Sequence, residues 1–195
     1  GLGYVRLGQS SPTLSGGEAQ RIKLAEELAR PSRGRTLYVL DEPTTGVDAV
    51  SRKEFWEMLK ELQKKGITIL VSTPYMDEAG LCDRVALMQD SRILSIDTPE
   101  EIVNRYDKEL YSVKSDNMYR LITDLRSFPE TGSVFPFGQC VHYTSSTASV
   151  NMDGITRFLD DKGHTNVTIE QITPGIEDCF MELMGTGEST ERKDG

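Results

Sequence analysis

The chain has no apolar run long enough to cross a bilayer. Its longest aliphatic stretches, such as residues 67–71 with one threonine, are about five residues, against the roughly 20 that a spanning helix needs. Residues 1–12 carry none of the marks of a secretory signal, so any membrane role is expected to run through a partner. Cysteine is scarce: Cys82, Cys140 and Cys179 are odd in number and far apart, which excludes a disulfide framework and a paired-cysteine metal module. Buried thiols in a reducing compartment are the expectation. Basic residues are in deficit, 22 Lys and Arg against 31 Asp and Glu, for a net charge of −9 and a pI near 4.8. That balance argues against a surface that coats DNA or RNA, because such a surface displaces counterions with basic side chains. Only two histidines occur, His142 and His164, and both read as surface or packing groups.

What is present concentrates in residues 14–48. Leu14-Ser15-Gly16-Gly17-Glu18-Ala19-Gln20 opens a stretch whose apolar positions, Ala19, Ile22, Leu24, Ala25 and Leu28, recur at helical spacing, predicting a helix over 16–29 that ends before Pro31. A Ser-Gly-Gly turn at a helix start offers unpaired N–H groups and a positive dipole end to an anion. The apolar strand 36–40 then runs into Asp41-Glu42-Pro43-Thr44-Thr45-Gly46. Two carboxylates at a strand mouth suit magnesium–phosphate chemistry, one holding the metal's water shell and one orienting or deprotonating water.

These residues carry a resemblance. Residues 14–20 resemble the signature motif of ATP-binding cassette (ABC) ATPases, residues 37–42 their Walker B strand, and Gly46-Val47-Asp48 their D-loop. The resemblance implies ATP and Mg2+ as cofactors. It implies that Ser15, Gly16, Gly17 and Glu18 face the γ-phosphate of a nucleotide held by a second cassette, and that Asp41 binds magnesium through water. Glu42 becomes the general base, and Asp48 an interface residue coupling two sites. Against the pattern, no Gly-x-x-x-x-Gly-Lys-Ser/Thr loop occurs, and Pro74 stands where the family usually has its switch histidine. The chain therefore carries halves of two sites, and little or no ATPase activity is expected from it alone.

Further along, apolar periodicity predicts a helix over 50–65 stopped by Gly66, with Phe55, Met58, Leu59 and Leu62 on one face, then a buried strand 67–72. A short helix 76–82, a hairpin of strands 84–88 and 92–96 and a helix 99–106 follow. Beyond Tyr106 the order reads β-α-β-β-α-β with one more helix. The expected fold is α/β: the C-terminal part of a P-loop ABC ATPase domain, three-layered around a parallel sheet (1–105), then a small α+β ferredoxin-like domain (106–184) and a disordered tail (185–195). Residues 1–12 read as a chain entering from a missing part.

Two family likenesses compete. Residues 1–45, with Gly3-Tyr4-Val5-Arg6-Leu7-Gly8-Gln9-Ser10, resemble the excision-repair UvrA ATPases. Residues 46–195 resemble the ATP-binding subunit of ABC-2 type exporters. The longer likeness implies ATP-driven export, a second cassette and a membrane permease as partners, and a cytoplasmic position at the inner face of the membrane. The alternatives are a UvrA-like DNA-repair ATPase fragment, against which the acidic balance and the lack of paired zinc-type cysteines count, and a non-catalytic regulatory or interaction fragment.

Overall fold

In the computed structural model of the chain, residues 22, 24–26 and 36–191 are described, the last six as backbone. The signature segment, with Ser15, Gly16, Gly17 and Glu18, lies outside them. Of the helix expected over 16–29, Ile22 and residues 24–26 are helical, and Leu24 is buried. Contacts divide the chain into two compact units, residues 1–81 and 82–195.

In the first unit, strand β1 (Leu37–Asp41) leads through helix α1 (Ala49–Lys64) to strand β2 (Thr68–Ser72), and helix α2 (Met76–Ala79) follows. β1 and β2 pair in parallel, Val39 opposite Leu70 and Asp41 opposite Ser72. Helix α1 starts where Asp48 caps it and ends at Gly66, whose φ of 84° a residue with a Cβ would rarely adopt. Its inward face buries Phe55, Trp56, Leu59 and Leu62. The expectation that strand 36–40 is covered on both faces is only half met. Leu40 is buried, but Leu37 and Val39 are 60% and 66% exposed and Leu70 is 59% exposed. Only two strands make up this sheet among the described residues, against the three-layer domain expected.

The second unit begins with an antiparallel hairpin, β3 (Val85–Gln89) and β4 (Arg92–Asp97), followed by helix α3 (Pro99–Asn104). Thr98 caps α3 through the N–H of Glu101, with proline in the first turn as expected. Then come β5 (Leu110–Lys114), α4 (Met118–Ser127), β6 (Thr131–Phe137), β7 (Cys140–Ser145), α5 (Met152–Asp161), β8 (Thr168–Ile172) and α6 (Ile176–Glu191). The four strands form one antiparallel sheet in the order β6-β7-β5-β8. Alternation along the strands sends Val113, Val134, Val141 and Tyr143 to one face, where Leu121 and Leu125 of α4 and Ile155 and Leu159 of α5 close a core. The opposite face carries His142, whose Nδ1 meets Asp178 of α6 at 2.6 Å while its ring stacks on Phe137 at 3.8 Å. His164 is buried between Ser115 (3.1 Å) and Asp124 (3.0 Å). Both histidines are thus hydrogen-bonded packing groups. Helix α6 continues past Met184, where the tail was expected to begin.

Candidate active site

The carboxyl ends of parallel strands are where ligands bind in open α/β sheets, because the loops diverge there. In the first unit that end carries Asp41, Glu42 and Ser72 side by side. Asp41 closes the ladder opposite Ser72, and the N–H of Glu42 donates to the Ser72 carbonyl at 2.8 Å. This extra bond holds Glu42 at φ 43°, in the left-handed region that costs a non-glycine residue about 1–2 kcal/mol. Strain of this kind collects at functional positions. The Glu42 side chain is exposed, and its Oε2 accepts from the Thr45 hydroxyl at 3.1 Å. Backbone bonds close the rest of the turn, from Thr45 N–H to the Glu42 carbonyl (3.2 Å) and from Val47 N–H to the Thr44 carbonyl (3.0 Å). Thr44 is fully buried, and its hydroxyl has no hydrogen-bond partner among the described residues.

Asp48 has a local task. Its Oδ1 accepts from the N–H groups of Ser51 (3.0 Å) and Val50 (3.1 Å), and these donors hold its carboxyl below the usual value. The residue is exposed, but its carboxylate is committed to the start of α1.

Behind the strand ends, a polar clamp fixes the turn after β2. The Thr73 hydroxyl donates to Oε2 of Glu78 at 2.7 Å and accepts from the Tyr75 N–H at 3.1 Å. Glu78 is almost wholly buried, and its Oε1 lies 3.5 Å from Nε of Arg52 on α1. The Arg52 guanidinium also lies 4.3 Å over the Tyr75 ring and 3.5 Å from Asp77. Pro74 thus sits in a turn held from both sides. A groove of about 560 Å³ opens beside this clamp, with Trp56, Arg52 and Leu81 among its walls.

Among the described residues no group of three or more His, Cys, Asp or Glu side chains is arranged to hold a metal. The Asp41–Glu42 pair still fits a magnesium ion, which keeps several waters and needs only one or two carboxylates. Sequence reasoning missed Thr45 and the Arg52–Glu78 clamp. The first was readable as a hydroxyl three residues after a carboxylate in a turn; the second joins residues too distant for any local signal.

No family model matches the chain. The UvrABC system protein A of Aquifex aeolicus is 44% identical over 108 residues, 52% of this chain and 12% of that protein. That of Streptomyces avermitilis is 48% identical over 108 residues, 52% of this chain and 11% of its own length. About half of this chain is homologous to UvrA, of the ABC ATPase superfamily. A crystal structure of UvrA2 from Deinococcus radiodurans is 42% identical, covering 53% of this chain and 13% of that one, with a TM-score of 0.47. The matched segment spans about an eighth of the curated UvrA relatives.

These relatives overturn the exporter reading. The UvrA likeness, assigned above to residues 1–45, extends over an alignment more than twice that long, and the relatives bear the name of a UvrABC system protein, not of a transport subunit. The expected partners, a second cassette with a membrane permease, fall with it, as does the position at the inner face of the membrane. Among the described residues no helix is long and apolar enough to cross a bilayer. The error lay in weighing the longer likeness, drawn over residues 46–195, above the shorter one over residues 1–45.

Proposed function

We propose that this chain forms part of the ATPase cassette of a UvrA-type DNA-repair protein. The observation that carries the reading is the 44–48% identity to UvrABC system protein A over 108 residues. The strand-end geometry supports it, since Asp41 and a strained Glu42 stand together at the carboxyl end of parallel strands, where ligands bind in open α/β sheets. Bound Mg-ATP supplies the phosphoanhydride and the charge that neutralises it. Asp41 would hold the magnesium's water shell, and Glu42 would accept a proton from, or orient, the attacking water. Ser15, Gly16, Gly17 and Glu18 would face a nucleotide's γ-phosphate. Asp48 would set the start of α1 and, through it, the loop from Gly46. We read the second unit as ferredoxin-like, a reading that its strand order β6-β7-β5-β8 with α4 and α5 on one face supports, and we assign it no part in the chemistry.

Calorimetric titration with Mg-ATP tests the cassette, first on the chain alone and then on the chain mixed with the phosphate-loop segment of the Thermus thermophilus UvrABC system protein A. Heat of binding is expected only from the mixture. No binding in either case refutes the cassette reading. A filter-binding comparison of the mixture on ultraviolet-irradiated and intact duplex DNA tests the repair assignment, and equal retention of the two refutes it.

A further inference from the structure

We propose that Thr45 is a positioning residue for Glu42. The proposal rests on the reading of Glu42 as the water-activating carboxylate. Two separate devices fix this glutamate. Its backbone is pinned in the left-handed region by the bond from its N–H to the Ser72 carbonyl at 2.8 Å, and its side chain is pinned by the Thr45 hydroxyl, which donates to Oε2 at 3.1 Å.

The hydroxyl is not needed to form the turn. The bonds from Thr45 N–H to the Glu42 carbonyl and from Val47 N–H to the Thr44 carbonyl close residues 42–47 through the backbone alone. Thr45 is exposed, so its side chain fills no part of the core. Its neighbour Thr44 shows the contrast: fully buried, with a hydroxyl that meets no partner among the described residues, it serves packing. What the Thr45 hydroxyl does is hold one carboxylate oxygen. That leaves Oε1 as the oxygen that meets water, in one orientation instead of the many an exposed glutamate samples. A free glutamate side chain carries one of the larger rotamer entropies, and restricting it before reaction places the proton acceptor within reach of the water more of the time. The proton passes from the attacking water to Glu42 Oε1; Thr45 keeps its own.

The test compares Thr45→Val, which is isosteric and lacks the hydroxyl, with Thr45→Ser, which keeps it. On the full chain, carbon-13 relaxation of the Glu42 side chain should show lower order in Thr45→Val and restored order in Thr45→Ser. Equal order in all three chains overturns the proposal. In the mixture with the phosphate-loop segment, Thr45→Val should lower kcat about tenfold with KM for ATP unchanged, and Thr45→Ser should recover most of it. Wild-type turnover that Thr45→Val leaves intact overturns the positioning role and spares the cassette reading. A wild-type mixture that binds no nucleotide overturns the cassette reading and, with it, any catalytic task for Glu42.

Discussion

Replacing Arg52 by methionine should destabilise the first unit, and removing Glu78 as well should restore part of the loss. Glu78 is 1% exposed, and Nε of Arg52, whose side chain is a quarter exposed, lies 3.5 Å from its Oε1. Breaking a fully buried ion pair by deleting one partner costs about 3–5 kcal/mol, because a charge is left in a poor solvent. Here the exposed edge of Arg52 and the long contact reduce that to about 2 kcal/mol, to which loss of the Tyr75 stack adds about 0.5 kcal/mol. In Arg52→Met/Glu78→Leu the buried carboxylate is removed together with the guanidinium. What remains is the Thr73 hydroxyl without its acceptor, about 1 kcal/mol. The second substitution should therefore raise stability in the Arg52→Met background by about 1 kcal/mol, while costing stability in the wild type. Urea unfolding followed by fluorescence reads this directly, since Trp56 is the chain's single tryptophan and lies on α1 in the same unit. A double variant less stable than Arg52→Met would refute the clamp as an electrostatic device and leave it a packing contact.

The full chain alone should release phosphate from Mg-ATP no faster than buffer, and Glu42→Gln should change nothing; turnover that this substitution abolishes would show a complete site within 195 residues. In the second unit, burial works against ionised Asp124, but the His164 hydrogen bond and the Lys162 and Arg120 charges outweigh it and hold the carboxyl below its usual 3.8. Its contribution to stability is therefore present above about pH 4 and is lost as pH falls through the lowered folded value. The gap in urea midpoint between wild type and Asp124→Asn should narrow from pH 5 to pH 3, and a gap that widens would contradict the assignment.

Much of the local structure was legible because local rules made it. Helix α1 was expected over 50–65 and spans Ala49–Lys64, since its apolar stripe and Gly66 fix both its face and its stop. The hairpin of β3 and β4, the proline-led α3 and the alternation of β5 to β8 follow from the same period and capping rules. The Asp41–Glu42 pair was legible as two carboxylates at a strand end. Its conformation was not: nothing in the residue type foretells a left-handed Glu42, which the Ser72 carbonyl imposes across the ladder. The burial of β1 was overestimated for a related reason. A run such as Leu37-Tyr38-Val39-Leu40 states what a strand could bury, whereas its neighbours decide what it does bury. Family assignment failed where the exporter likeness of residues 46–195 was ranked above the UvrA likeness of residues 1–45.

Pro136 has a consequence for how this protein behaves in a crowded solution. β6 lies at one edge of the four-stranded sheet, and an edge with regular N–H and C=O groups invites another chain to add a strand. Pro136 brings no N–H to that edge, and the Arg126 side chain donates to the Val134 carbonyl at 3.4 Å, occupying an acceptor an incoming strand would need. This flank of the sheet is therefore blunted against runaway strand addition. Pro136→Val would restore a donor to it and, without touching the core or the strand ends of the first unit, turn a guarded border into a template for fibres.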